Sequence, residues 1–368
     1  MQVPMLDLNA QYEPIMPEIR AEIEKVFSSH AYKLGPQVKE FEEDMQSFCN
    51  VKHAIGCASG TDAIVLALIA LGIGEDDEVI TTPFTFFATA GTIYRVGAKP
   101  VFVDVKPDTF NIDPDKIEAA ITTKTKAIIP VHLFGQPAEM DKIMQIAGKH
   151  KLKVIEDNAQ GIGTKFDGNV AGTIGDIGTL SFFPSKNLGA MGDGGMCLTN
   201  DDDLAGKLFQ LRVHGENPQY YHKWVGLNSR LDTIQAAVLL VKLRSLQSWS
   251  DARRKNAEYY YKNLENVSQI SLPVTIKKAE SIFNQFTLKA ERRDELLEYL
   301  RSKDIGCAVY YPLPLHLQEC FTYLDHKKGD FPISEELTEK VISIPVYSEL
   351  TKEQQDFVIK TIKQFYSH

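Results

Sequence analysis

The stretch that decides the fold is SFFPSKNLGAMGDGG, residues Ser181–Gly195. It begins with an apolar, aromatic run of strand length and closes with a turn rich in glycine and other small residues. Lys186 stands between the two parts. Most lysines lie on protein surfaces, so Lys186 taken alone would be a solvated side chain. The rest of the chain decides between that interpretation and a reactive amine.

Apolar runs of strand length alternate with helical segments around that stretch, from about residue 50 to residue 200. The runs are HAIGCAS, EVITTP, KPVFVDV, KAIIPVHLF, KVIEDNA, TLSFF and GGMCLT. One intervening helix, GTDAIVLALIALG, begins at a Gly-Thr-Asp capping sequence and ends at Gly72. This alternation predicts an α/β fold with a mostly parallel central sheet and helices on both faces.

The pattern changes beyond about Asn228 to long helices, followed by a smaller set of strands and helices. We therefore predict two domains, a large α/β domain over residues 1–248 and a small α+β domain over residues 249–368. With 368 residues, 43% of them hydrophobic, the chain is long enough to build both cores.

Charge and composition narrow the possible functions. The net charge is −9 and the basic residues are scattered, which argues against nucleic acid or an acidic membrane as a partner. The longest apolar run, residues 63–74, is too short to cross a bilayer, and no export signal is visible, so we expect a cytoplasmic protein. Five widely spaced cysteines without a CxxC pair predict neither a disulfide framework nor a metal site.

Chemically interesting residues follow several of the predicted strands. Ser59–Thr61 stand at a helix start, where free backbone N–H groups favour a phosphate. Asp157 ends the run KVIED, and Gln160 comes three residues later. Ser181 begins the stretch that carries Lys186. Ligands bind at the carboxyl ends of the strands in open α/β sheets, so we expect these groups to lie close together.

Each of these residues has an ordinary explanation when taken alone: a helix cap, a turn carboxylate and a surface lysine. Together they are the three groups that pyridoxal phosphate needs. A lysine forms an imine with the cofactor, a carboxylate keeps the ring nitrogen protonated, and a helix start holds the phosphate. The combination makes Lys186 a candidate Schiff-base residue and Asp157 the candidate partner of the ring.

Nine blocks in this order resemble the DegT/DnrJ/EryC1/StrS family of sugar-nucleotide aminotransferases, fold type I of the pyridoxal-phosphate enzymes. They are LGPQVKEFE, CASGTDAI, PFTFFATA, GAKPVFVDV, IIPVHLFGQPAEMD, VIEDNAQGIGT, SFFPSKNLGAMGDGG, VGLNSRLDTIQAA and YYPLPLHLQ. The resemblance runs from roughly residue 5 to residue 320. A match of many blocks in order is far more specific than a single glycine-rich turn.

The resemblance implies a role for each matched residue. Lys186 would bind the cofactor, Asp157 would pair with the pyridine nitrogen, and Gln160 would neighbour the ring hydroxyl. Phe86 would lie over the face of the ring. The residues implied to hold the phosphate are Gly60, Thr61, Ser181 and, from the other subunit of a homodimer, Asn228.

The family's reaction, if carried over, has two halves. Glutamate would give its amine to the cofactor, and the aminated cofactor would then convert a keto group on a nucleotide-linked hexose into an amine. Some members have histidine in place of the lysine and act as dehydratases, so Lys186 favours transamination. The stretch HGENPQYYHKWVGLNSRLDTIQAA is most similar to members that act at C-3 rather than C-4.

The substrate's phosphates and sugar would need donors of their own. Arg230 and Tyr311 rank first among the candidates because they sit in matched blocks. The remaining candidates are Arg212, His214 and His316. This chain has Tyr310 where many members acting on 3-keto sugars have histidine, so that contact with the sugar would differ.

Three other interpretations stay open at this point. The chain could be another fold type I enzyme, such as an aldolase or a desulfurase. A nucleotide-binding dehydrogenase is disfavoured because no G-x-G-x-x-G follows the first strands. A regulatory or binding protein on the same fold would have lost turnover, but the presence of Lys186, Asp157 and Gln160 argues against it.

Overall fold

The computed structural model describes residues 1–367. Its helices are α1 (Leu8–Tyr12), α2 (Met16–Ser29), α3 (Pro36–Cys49), α4 (Gly60–Ala70), α5 (Ala88–Arg95), α6 (Met140–His150), α7 (Asp202–Leu211), α8 (Thr233–Leu264), α9 (Arg293–Ser302), α10 (Pro332–Lys340) and α11 (Lys352–Tyr366). Its strands are β1 (His53–Cys57), β2 (Glu78–Thr81), β3 (Lys99–Phe102), β4 (Thr125–Ile128), β5 (Lys153–Asp157), β6 (Lys165–Phe166), β7 (Asn169–Val170), β8 (Ile177–Ser181), β9 (Gly195–Thr199), β10 (Ile270–Ser271), β11 (Ala279–Glu280), β12 (Phe286–Ala290) and β13 (Val341–Ile344). Short 3₁₀ turns join several of them.

A seven-stranded sheet in the order β1-β9-β8-β5-β4-β2-β3 forms the centre of the molecule. Strand β9 runs antiparallel to both of its neighbours, and every other adjacent pair is parallel. The strands are apolar and almost entirely buried, as expected when helices cover both faces. The predicted α/β fold with a mostly parallel sheet is confirmed.

The strand directions bring several loops to one edge of this sheet. Strands β1 and β8 end there, and β9 begins there because it runs the other way. Gly195 at the start of β9 pairs with Cys57 of β1 on one side and with Ser181 of β8 on the other. The loops after β1, β5 and β8 therefore open beside one another, as the sequence predicted.

Helix α4 is apolar on nearly all sides and buries most of its length from Ala63 to Ala70. Its N-terminus is capped by Ser59, whose hydroxyl accepts a hydrogen bond from the N–H of Asp62 at 3.0 Å. In the chain, α4 follows β1 and precedes β2. Because it starts where β1 ends, its first turn faces the same loops. The sequence predicted this buried helix, although the capping side chain is that of Ser59 and the helix ends at Ala70, two residues before Gly72.

The C-terminal part has its own three-stranded sheet, β10-β12-β13, and a separate hydrophobic core formed with α9, α11 and the last turns of α8. Val3 belongs to this second core and forms a bridge with Ile305. The 32-residue helix α8 continues without a break across the predicted boundary at residues 248 and 249. The division into domains 1–248 and 249–368 stays a prediction.

All five cysteines carry free thiols, and all except Cys320 are buried. Burial raises the pKa of Cys49 to about 12, as expected for a thiol packed in a core. Within residues 1–367, none of the helices has both the length and the apolar character that crossing a membrane requires.

Candidate active site

The loop after β1 and the end of β8 form the tightest approach at the sheet edge. A Cβ atom placed on Gly60 would lie 2.6 Å from Cβ of Ser181, a distance at which no side chain fits. Because glycine leaves this space open, the backbone at the start of α4 lies directly against Ser181. No protein acceptor within residues 1–367 takes the N–H groups of Gly60 and Thr61. The arrangement leaves two amide donors and one hydroxyl beside the positive end of a helix dipole.

Asp157 stands at the end of β5 with only 4% of its surface exposed. Its Oδ2 accepts a hydrogen bond from the Thr89 hydroxyl at 2.7 Å, and its Oδ1 accepts one from the Ala159 N–H at 3.2 Å. Within the described residues no lysine, arginine or histidine forms an ion pair with it. A buried carboxylate held by neutral donors alone suits a protonated ring nitrogen as its cationic partner.

Lys186 lies in the turn after β8, and its backbone N–H donates to the carbonyl of Phe183 at 2.8 Å. Burial lowers the pKa of the Lys186 amine to about 8, although the nearby Asp157 carboxylate favours the charged form. Its Nζ has no hydrogen-bond or ion-pair partner among residues 1–367. A lysine with a lowered pKa and an unengaged amine is the form in which lysine acts as a nucleophile.

A buried hydrogen bond between His132 and Glu156 supports the strand that carries Asp157. His132 Nε2 donates to Glu156 Oε2 at 2.8 Å, and its Nδ1 accepts from the N–H of Ala138 at 3.1 Å. Backbone N–H groups of Gly172, Ile174 and Gly175 also donate to the Glu156 carboxylate. Burial disfavours the Glu156 carboxylate, but the His132 hydrogen bond and the amides outweigh it, and the pKa of Glu156 falls below its ordinary value.

Gln160 and Tyr311 are in contact with each other. The Gln160 amide donates to the Tyr311 hydroxyl at 3.0 Å and accepts the N–H of Phe134 at 2.7 Å. Burial raises the pKa of Tyr311, so its hydroxyl keeps its proton at neutral pH. The ring of Phe86 is 57% exposed, with its centroid 6.4 Å from that of Tyr311. Such an open aromatic face at a sheet edge can cover a planar ligand.

An open cleft of about 510 Å³ adjoins the start of α4. Ala58 and Ser59 line it together with Asn228 and Arg230 of the segment before α8. Arg230 forms no ion pair with a carboxylate among the described residues, although Asp232 lines the same cleft. The structure brings Asn228 and Arg230 to the site of their own chain. A contribution of Asn228 to a partner subunit stays a prediction.

Two sequence-predicted substrate residues have side chains that are engaged inside the fold, which argues against the predicted contact with the substrate. Arg212 is buried, pairs with Glu42 and donates to the carbonyl of Gly56 at 2.9 Å. His316 is 1% exposed, and its Nε2 lies 3.1 Å from Glu335 Oε1. Both carboxylates are distant in sequence, so no local pattern indicated the pairs. His214 is exposed, and its role stays a prediction.

The sequence reasoning missed several supporting residues. Thr89, the donor to Asp157, stands in the block PFTFFATA, which was used only for Phe86. Gln235 of α8 holds the backbone of Met191 in the turn after Lys186, accepting its N–H at 2.9 Å. Asp193 lines the cleft beside Arg230. The one available signal for Thr89 was its place in a block that resembles the family, because a threonine or a glutamine has no distinctive chemistry of its own.

These residues fit pyridoxal phosphate. The free amide donors of α4 with Ser181 match a phosphate, the buried Asp157 carboxylate matches the ring nitrogen, and the Lys186 amine matches the aldehyde. The site has one group for each functional part of the cofactor and leaves the Phe86 face open to the ring. The donor set therefore defines a pyridoxal-phosphate site of the fold type I kind.

Comparisons with known proteins agree with this class. The model of the "DegT/DnrJ/EryC1/StrS aminotransferase family" matches residues 14–363. A pleiotropic regulatory protein of Geobacillus stearothermophilus is 52% identical over 100% of both chains. A UDP-N-acetyl-3-dehydro-alpha-D-glucosamine 3-aminotransferase of Acidithiobacillus ferrooxidans is 46% identical over 96% of this chain and 95% of that one.

The solved structure of DesV from S. venezuelae, in complex with a ketimine intermediate, superposes with a TM-score of 0.98 at 39% identity, covering 100% of this chain and 99% of that one. The chain belongs to the DegT/DnrJ/EryC1/StrS aminotransferase family. The predictions of the family, of the fold type and, at the level of the family, of the pyridoxal-phosphate cofactor are confirmed.

Proposed function

We propose that the protein is an aminotransferase that moves an amino group from glutamate to C-3 of a nucleotide-linked keto sugar. One observation carries the proposal: the Lys186 amine, with its pKa near 8, stands free beside the buried Asp157 carboxylate and the open start of α4. The name of the Acidithiobacillus relative, a 3-aminotransferase of a UDP-linked sugar, supports C-3. The product would be an amino sugar for a surface polysaccharide or a secondary metabolite.

Pyridoxal phosphate, when bound, supplies a conjugated ring that withdraws electrons from the carbon bearing the transferred amine. Asp157 would keep the ring nitrogen protonated, because an ionised carboxylate in a buried site stabilises a neighbouring cation. Phe86 would cover the ring face. The first turn of α4 and Ser181 would hold the phosphate.

Lys186 would then act as the acid and base of the reaction. A pKa of about 8 leaves roughly a tenth of the amine uncharged at neutral pH, far more than for an ordinary lysine, so the amine can take a proton from the substrate carbon and return it. Gln160 and Tyr311 would border the ring and the sugar. Arg230, unpaired in the cleft beside Ser59, suits the diphosphate of the sugar nucleotide.

The shared site that we propose requires a homodimer. Its support is a segment of exposed apolar side chains next to Asn228: Val225 is 93% exposed, Tyr220 81% and Tyr221 70%. Exposed apolar patches of this kind mark interfaces between chains.

Five free thiols support the cytoplasm as the compartment, because disulfides are rare there.

In the experiment, the protein carrying the aminated cofactor is incubated with each of two matched substrates. These are a nucleotide-linked 3-keto hexose and its 4-keto isomer. The product is identified by mass spectrometry and by the position of the amine in the NMR spectrum. We expect the 3-amino sugar from the first substrate and little turnover of the second. Preferential formation of a 4-amino sugar would contradict the proposed position.

A regulatory protein is the second candidate function, and the name of the Geobacillus relative favours it. A regulator without turnover would not need a free amine with a lowered pKa facing a buried carboxylate. The two candidates separate in one assay, because a protein that binds pyridoxal phosphate and turns over neither glutamate nor any keto sugar would support the regulatory one.

A further inference from the structure

The segment of residues 281–285, which we call the bridge segment, directly precedes β12 of the C-terminal sheet. It packs against the loop that follows β4 of the large sheet. Ile282 donates its backbone N–H to the carbonyl of Gly135 at 3.0 Å, and the Ser281 hydroxyl donates to the same carbonyl at 3.0 Å. A Cβ atom on Gly135 would lie 2.7 Å from the backbone nitrogen of Asn284. The close approach requires glycine there, so the two loops are fitted to each other.

Asn284 extends this contact to the turn that carries the reactive lysine. Its side-chain N–H donates to Oδ1 of Asn187 at 2.6 Å, and Asn187 directly follows Lys186. Asn284 is 7% exposed and Asn187 3%. This short amide–amide hydrogen bond joins two residues that are 97 positions apart in the chain.

Arg253 of α8 fixes the other side of the bridge segment. Its guanidinium donates to the carbonyl of Phe283 at 3.1 Å and to that of Asn284 at 3.2 Å. Only 4% of Arg253 is exposed. Burial lowers its pKa to about 10, which leaves it charged at neutral pH. A buried cation on two carbonyls holds the backbone of Asn284 in one place.

The bridge segment also reaches the loop that positions Gln160. Phe134 donates its N–H to the Gln160 amide oxygen at 2.7 Å, and Phe134 is the neighbour of Gly135. A single buried segment therefore contacts both loops that place the groups around the cofactor site.

We propose that Asn284 is a positioning residue for Lys186, acting through its hydrogen bond to Asn187, and that Arg253 holds Asn284 in place. The inference rests on the proposed role of Lys186 as the reactive amine. An apolar pair would fill the same space without leaving polar atoms unmet. Instead, Nδ2 of Asn187 and Oδ1 of Asn284 are buried without a hydrogen-bond partner among residues 1–367, which is a cost in stability. Two amides at this place are explained if the directional hydrogen bond between them fixes the position of the turn that carries Lys186.

The test compares the wild type with Asn284→Ala, and with Asn256→Ala as the matched control. Asn256 is half-buried on α8 and, like Asn284, donates a side-chain hydrogen bond, in its case to the backbone carbonyl of Tyr347 at 2.8 Å. Three quantities are measured: the melting temperature of the apoprotein, the Kd for pyridoxal phosphate, and the pH midpoint for trapping pyridoxal phosphate on Lys186 with borohydride, read by peptide mapping.

For Asn284→Ala we expect a Kd about tenfold higher, and a trapping midpoint above that of the wild type because a looser turn exposes the amine to water. Asn256→Ala should lower the melting temperature similarly and change neither the Kd nor the midpoint. Asn284→Ser, which keeps a short polar group, should lie between the wild type and Asn284→Ala, and it replaces the alanine variant if that one does not fold.

An unchanged Kd and midpoint in the Asn284 variants would overturn the inference, whatever happens to the melting temperature, because Asn284 would then serve stability alone. A failure of the proposed function gives a different result from a failure of the positioning role. If pyridoxal phosphate is not trapped on Lys186 in the wild type, the role of Lys186 itself is wrong. If the wild type is trapped normally and the Asn284 variants behave like it, only the positioning role is wrong.

Discussion

The Thr89 hydroxyl lies 2.7 Å from Oδ2 of Asp157, and both side chains are buried. Thr89 comes from helix α5 and Asp157 from the end of strand β5, so two elements that are distant in sequence together orient one carboxylate. A second threonine, Thr85, lies 3.2 Å from the Thr89 hydroxyl and continues the chain of polar contacts. These hydroxyls orient the group that we expect to face the ring nitrogen.

Thr89→Val removes the donor and keeps the shape of the side chain. We expect the amination rate to fall by about tenfold or more, because a hydrogen bond to a charged group is worth roughly 1.5–3 kcal/mol. Thr89→Ser keeps the hydroxyl and should retain most of the rate. Steady-state kinetics and melting temperatures of both variants check this. Equal rates for the valine and serine variants would show that the hydroxyl has no role.

A mixing experiment tests the shared site. Lys186→Ala and Asn228→Ala are each expected to be inactive or weak alone. If Asn228 serves the partner's site, a heterodimer of the two has one intact site, and an equal mixture should recover about a quarter of the wild-type activity. The activity is measured after subunit exchange. No recovery, despite mixed dimers seen by native mass spectrometry, would mean that Asn228 serves its own chain.

Arg230→Ala tests the assignment of the substrate's diphosphate. Arg230 lines the cleft next to Ser59, and a guanidinium binds phosphate oxygens through paired donors. We expect the KM for the sugar nucleotide to rise about tenfold or more, with the Kd for pyridoxal phosphate unchanged. Arg230→Lys should recover part of the loss. A normal KM in the alanine variant would remove Arg230 from the substrate site.

Lys242 predicts a pH dependence of stability. The side chain of Lys242, in α8, is fully buried, and its Nζ lies 3.0 Å from the Tyr12 hydroxyl. The same nitrogen lies over the aromatic rings of Tyr12 and Trp249. Burial lowers the pKa of Lys242 to about 7, and Glu349 only partly opposes it. The unfolded chain, with the ordinary value of 10.5, holds more protons between these two pKa values, so stability rises with pH in that window.

Lys242→Met removes this titration. Between pH 7 and pH 10 the wild type should gain on the order of 3 kcal/mol of unfolding free energy relative to the variant. Urea unfolding at several pH values measures the difference, in which the other titrating groups cancel. Lys255→Met, which changes an exposed lysine of the same helix, should parallel the wild type. A constant difference between wild type and Lys242→Met would contradict the prediction.

The sequence predicted the main features of the fold because hydrophobic runs of strand length mark the buried strands directly. It did not predict that β9 runs against its neighbours, because hydrophobic periodicity is the same in either direction. The unbroken course of α8 across residues 248 and 249 also escaped prediction, since a helix shared by two cores has no cap or break at the boundary.

For the site, the sequence indicated the residues whose chemistry is distinctive. Lys186 and Asp157 stood out because strand ends in an α/β sheet converge, and the structure places both at that edge. The sequence did not indicate that Arg212 and His316 are engaged with Glu42 and Glu335, because these partners are brought close only by folding. Thr89 and Asn284 were missed because a neutral polar side chain gains a role only from what it contacts.

The most direct test of the account is the visible spectrum of the purified protein with pyridoxal phosphate, recorded before and after glutamate is added, followed by borohydride trapping and peptide mapping. We predict an absorbance that glutamate bleaches and, without glutamate, a single label on Lys186 that is absent from Lys186→Ala. A protein that takes up no pyridoxal phosphate, or that is labelled at another lysine with the same spectral response, would contradict the central role of Lys186.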